Sequence, residues 1–101
     1  KLSLSSLEFS HIMKTSKSLK IGDLSFKYAQ SSKPSLGIVV SKKYGDAVHR
    51  NLFKRRCRSL FKTTITDNKI LCSVVVLPNK QNVSQKSINE SFAGLYNQLE
   101  N

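Results

Sequence analysis

Leu36-Gly37-Ile38-Val39-Val40-Ser41-Lys42-Lys43-Tyr44-Gly45-Asp46-Ala47-Val48-His49-Arg50-Asn51-Leu52-Phe53-Lys54-Arg55-Arg56-Cys57-Arg58 is an apolar segment running into a cationic one. Its first five residues are apolar or β-branched and read as a central strand. Asp46 is placed to cap a helix that follows, expected to run to about Thr64. At 100° per residue, Leu52, Phe53, Cys57, Leu60 and Phe61 share one arc of that helix. Asn51, Lys54, Arg55, Arg58 and Lys62 share the opposite arc, with Arg50 at the seam. Arg56 falls on the apolar arc and is expected to snorkel at its edge. A strand feeding a helix with one buried and one basic face sets the fold class. The neighbouring segments have to complete a sheet and a second helix layer.

Outward from this stretch, Leu24, Phe26 and Tyr28 alternate with Ser25 and Lys27, the mark of a half-buried strand. Ile70 to Leu77, stopped by Pro78, reads as a second buried strand. Ser87-Ile88-Asn89-Glu90 has capping-box spacing and starts a last helix with Ile88, Phe92, Leu95, Tyr96 and Leu99 on one face. Ser5-Ser6-Leu7-Glu8 has the same spacing and predicts an N-terminal helix over about 5–16, with Phe9, Ile12 and Met13 at helical intervals. Lys14 to Gly22 reads as a loop or a strand entry. The expected order is α-β-β-α-β-α with room for one further strand, a small single-domain α+β sandwich over residues 1–101. There is no internal repeat and no linker.

Seventeen basic against six acidic side chains give a formal charge of +11. Eight of the basic residues and one acid, Asp46, lie between Lys42 and Lys62, so that window carries +7. All four arginines are in it, and arginine offers a rigid fork of donors that fits phosphate oxygens. A solvated helix face ordinarily mixes signs, whereas no acid occurs between Ala47 and Ile65. The repulsion along such a face is relieved by a polyanion, which makes the chain an RNA-binding candidate. Lys42, Lys43, Arg50, Asn51, Lys54, Arg55, Arg58 and Lys62 are the candidate RNA contacts.

Other classes find less support. Cys57 and Cys72 fit neither a zinc site nor a disulfide scaffold and read as buried thiols of a cytoplasmic protein. His11 and His49 have no partner nearby in sequence, the acids are scattered, and the glycines build no phosphate loop, so no catalytic or metal constellation is expected. No apolar run approaches membrane-spanning length, and no secretory signal is read. Opening on Lys1 rather than Met suggests an N-terminally shortened chain. For Phe9, Met13, Phe26 and Tyr28 core packing is the default, although aromatic rings on a basic sheet can also stack unpaired bases.

Leu36 to Lys43, with Gly45, Ala47-Val48, Arg50-Asn51 and Lys54-Arg55-x-x-Arg58, resembles the signature of the bacterial ribonuclease P protein subunit. The likeness extends over nearly the whole chain. It implies a sheet of about four strands and a left-handed β-α-β crossover around the Arg-Asn helix. It also implies a protein that joins a catalytic RNA, one copy per RNA, and promotes removal of the 5′ leader from precursor tRNA. The RNA would perform the hydrolysis with Mg²⁺. By the family's pattern Arg50, Asn51, Lys54, Arg55 and Arg58 would contact the catalytic RNA. The leader would lie in a cleft between the first helix and the sheet, with Phe9, Met13 and Tyr28 as its aromatic positions and Phe26, Val40 and Lys42 as weaker matches. A general basic or ribosomal-type RNA-binding protein is the alternative, and an independent nuclease a third.

Overall fold

The computed structural model describes residues 17–100. Within them a four-stranded mixed sheet carries two helices: β1 (Lys17–Ile21), β2 (Leu24–Gln30), β3 (Ser35–Ile38), α1 (Ala47–Phe61), β4 (Cys72–Pro78) and α2 (Gln85–Glu100). The predicted helix over 5–16, with Phe9 and Met13, lies outside the described residues. The optional extra strand is β1, inside the segment read as a loop or strand entry. It alternates Leu19 and Ile21 with Ser18 and Lys20 and joins β2 through Gly22-Asp23, with Ile21 paired to Leu24. Gly22 sits at φ 57°, a conformation that a two-residue hairpin demands and glycine takes without strain.

The strand order is β1-β2-β4-β3. β2 pairs antiparallel with both β1 and β4, while β3 pairs with β4 in parallel, Ile38 opposite Val76. The parallel pair is connected by way of α1, a β-α-β unit. The segment read as a central strand is therefore at an edge, and β4 holds the centre. Continuous apolar character reports burial, not the number of strand partners. β4 is the segment buried at every position from Cys72 to Val76, as two covered faces require.

Period-2 alternation sorts the side chains onto two faces. Leu24 and Phe26 of β2, Val74 and Val76 of β4 and Leu36 of β3 form one core with Phe53, Cys57, Phe61, Ile65, Ile88, Phe92 and Leu95 from the helical side. Phe26 meets Phe92 edge to face, ring centroids 5.3 Å apart at 78°. Ser18, Ser25, Lys27 and Val75 belong to the opposite face, as their pairings Ser18–Lys27 and Lys27–Val75 show.

Both helices differ from the reading at one end. α1 stops at Phe61 and continues as a wide π turn, Lys62–Thr66, closed by Asp67 N–H donating to the Lys62 carbonyl at 2.8 Å. Thr63 and Thr64 turn their hydroxyls onto the Leu60 carbonyl, at 3.2 and 2.6 Å, and so compete with the ordinary helical pattern. α2 begins earlier than its expected capping box. Ser84 is its cap, accepting from Ser87 N–H at 3.1 Å. The Ser87 hydroxyl is thereby free to donate to Asp23 (2.8 Å), while the Ser91 hydroxyl donates to the Ile21 carbonyl (2.9 Å). These two bonds fasten the β1–β2 turn to α2. Gly94 lets the helix lie this close, since a Cβ there would stand 3.0 Å from two Ile21 carbons.

Candidate RNA interface

The cationic face is built by the cap and core of α1. The Asp46 carboxylate accepts from the His49 backbone N–H at 2.9 Å, and the His49 ring nitrogen Nδ1 lies 2.7 Å from the same oxygen. The backbone donation first, and the ring second, hold the Asp46 carboxyl below its ordinary range. Asp46 thus stays an anion at the helix start, where the dipole favours one. His49 is an exposed helix-start residue, and it does have a partner nearby in sequence, since the Asp46 cap three positions earlier also meets its ring.

Burial of Phe53, Cys57 and Phe61 fixes the rotation of α1. That rotation leaves Asn51, Arg55, Arg58 and Lys62 exposed and Arg50 and Lys54 half-exposed, so the predicted arc is gathered on one side of the helix. Arg56 is half-buried at the margin of the apolar arc and lines a small depression with Tyr44, Leu52 and Val83. Burial pushes the Cys57 thiol up to about 12 and that of Cys72 up to about 11. Both are free, buried, neutral fillers of the core.

Among the described residues the ion pairs are His49–Asp46, Lys62–Asp67 at 3.4 Å and Lys80–Asp23 at 3.6 Å. None involves an arginine. Lys62 differs from the rest of the arc in having a carboxylate beside it, though an exposed pair of this kind is worth at most about 1 kcal/mol and exchanges readily. Arg50 buries its Nε without a protein acceptor. Among the described residues the exposed guanidinium groups of Arg55 and Arg58 have no carboxylate partner, and such donors can grip phosphates in a set register.

Lys42 and Lys43 are exposed on a 3₁₀ turn, Lys42–Tyr44, just before α1. Tyr44, which sequence reasoning passed over, holds that turn. Its ring is buried 4.9 Å from that of Phe53, and its hydroxyl accepts from Val83 N–H at 3.0 Å. Desolvation raises the Tyr44 pKa, so the phenol remains neutral. The partner is 39 positions away in sequence, beyond any local pattern. Tyr44→Phe should lower stability by about 1–3 kcal/mol, because it strands a buried N–H. Urea unfolding checks this, and an unchanged midpoint would remove the anchoring role.

The described residues matched to the leader cleft differ in burial. Phe26 is completely buried. Tyr28 and Val40 are half-buried and pack against the same cluster. Alternation from Leu24 carries Phe26 and Tyr28 to the side of the sheet that packs on α1 and α2. The opposite face carries Ser18, Ser25 and Lys27 beside the buried Ser73 and Val75, with the Lys27 ammonium 3.5 Å from the Ser18 hydroxyl and the Ser25 hydroxyl donating to Asn79 at 2.9 Å. Ser18, Ser25 and Lys27, together with Leu19, Phe26, Leu77, Pro78 and Asn79, line an open groove.

Comparison with known proteins agrees with this architecture. The ribonuclease P protein component of Chlamydia felis is 34% identical over 90 residues, 85% of this chain and 64% of the relative. That of Petrotoga mobilis is 31% identical over 67 residues, 65% of this chain and 52% of the relative. The chain thus spans less than two thirds of these curated relatives. The RNase P protein from Thermotoga maritima superposes with a TM-score of 0.78 at 27% identity, covering 97% of each chain. The Staphylococcus aureus RNase P protein superposes at 0.84 with 23% identity, over 97% of this chain and 94% of that one, a likeness of fold. The family model described as Ribonuclease P matches residues 4–100, and with the signature on α1 and this sheet order the chain belongs to the ribonuclease P protein family.

Proposed function

We propose that the chain is the protein subunit of a ribonuclease P ribonucleoprotein, docking through α1 on a catalytic RNA and promoting removal of the 5′ leader from precursor tRNA. The observation that carries this reading is the arc of Arg50, Lys54, Arg55 and Arg58 without a carboxylate partner among the described residues. Asn51 adds a neutral donor and acceptor in its midst, and Lys42, Lys43 and Lys62 extend the positive field at both ends. One protein would bind each RNA. Hydrolysis belongs to the RNA, whose phosphates would hold Mg²⁺. Among the described residues no three His, Cys, Asp or Glu side chains gather as a metal site. The protein's part is to screen charge between two RNAs and to extend the leader.

In this reading the leader crosses the sheet face of Ser18, Ser25 and Lys27, and Phe9 and Met13 keep their assignment to it. A contact with the leader is absent in mature tRNA. Lys27→Ala should therefore weaken precursor binding by the holoenzyme about fivefold, the equivalent of about 1 kcal/mol for one charged contact. Mature tRNA should bind as before. Competition between the two ligands checks this, and equal losses for both would take Lys27 out of the leader path. A general RNA-binding protein would show no leader-dependent preference at all.

A further inference from the structure

Among the described residues three large apolar side chains are exposed: Val39, Val48 and Leu71. Val48 is the most open, at 73%, and it alone stands on the cationic side of α1. Arg55 follows it by seven residues, two helical turns, and Asn51 by three, so both lie along the same strip. Cα–Cβ bonds in a helix tilt towards the N-terminus, which carries the isopropyl group forward to the helix start. Ala47, also exposed, adjoins it. A β-branched residue is a poor choice for an exposed first turn, and its methyl groups contribute nothing to the core. The surroundings define what can cover it: donors for phosphate on one side and, at the tip, a small apolar surface. An RNA offers both features together, since the backbone carries charge while ribose and unpaired base faces are apolar.

We propose that Val48 is a positioning residue that packs on a ribose or an unstacked base of the bound catalytic RNA and sets the register in which the arginines meet phosphates. This rests on the function proposed above. The contact is apolar, so it contributes affinity that does not depend on counterion release. Phosphate contacts behave in the opposite way, and the two kinds can be separated.

Val48→Ala, Val48→Thr and Arg55→Ala are each titrated with a bacterial ribonuclease P RNA across a salt series. Val48→Ala removes two methyl groups and should weaken binding about tenfold at every salt concentration, leaving the slope of log affinity against log salt unchanged. Val48→Thr keeps the shape, loses one methyl, and should fall between it and the parent. Since alanine is the better helix former, the thermal midpoint of Val48→Ala should hold or rise, which a folding defect would not allow. Full affinity in Val48→Ala, or a loss accompanied by a flatter slope, overturns the apolar contact. If Arg55→Ala leaves the slope untouched, the docking face itself is misassigned, a separate failure.

Discussion

Replacing Arg55 and Arg58 together with alanine should weaken assembly with ribonuclease P RNA about a hundredfold at moderate salt. Each guanidinium lost from a charge-assisted contact accounts for at least about tenfold. The salt dependence is the sharper measure. Each phosphate neutralised contributes about −0.7 to −0.9 to the slope of log affinity against log salt, so the double variant should be shallower by roughly 1.4 to 1.8. The fold should be untouched, because both side chains are exposed and neither is in an ion pair among the described residues. Unaltered affinity and slope in a folded double variant would move the interface elsewhere.

Phe26→Ala carries the largest expected effect on stability. The ring is completely buried against Phe92 between the sheet and α2. Truncating a buried phenylalanine costs about 3–5 kcal/mol, a large part of the roughly 5–15 kcal/mol by which such a domain is stable. Thermal or urea unfolding should show a severe loss or an unfolded chain. Phe26→Leu keeps most of the volume and should fold. Its affinity for precursor tRNA in the holoenzyme should match the parent, because the ring is packed in the core and leucine keeps that core filled. Selective loss of precursor binding in folded Phe26→Leu would place Phe26 in the leader path.

Much of this architecture is local enough to be legible in sequence. Asp46 as a cap, the two arcs of α1 and the buried run of β4 follow from periods of 3.6 and 2 and from capping chemistry. The alternation of β2 was legible too, but not which of its faces the helices cover. One strand looks the same from either side, so alternation alone leaves open how far each ring is covered: Phe26 is completely buried and Tyr28 half-buried. β1 was half-seen because two apolar residues among lysines and serines signal weakly, although Gly22-Asp23 between alternating runs is hairpin chemistry. The edge position of β3 and the Tyr44–Val83 bond depend on tertiary pairing, which no local period encodes. The cationic arc was read most directly, since charge needs no partner within the chain to be recognised.

The central claim is that the chain serves a catalytic RNA and does not cleave by itself. Leader removal from precursor tRNA should be measured at low Mg²⁺ with a bacterial ribonuclease P RNA alone, with the protein alone, and with both. The account predicts slow processing by the RNA alone, none by the protein alone, and restored processing by the two together. No gain on adding the protein, or cleavage by the protein without RNA, would contradict it.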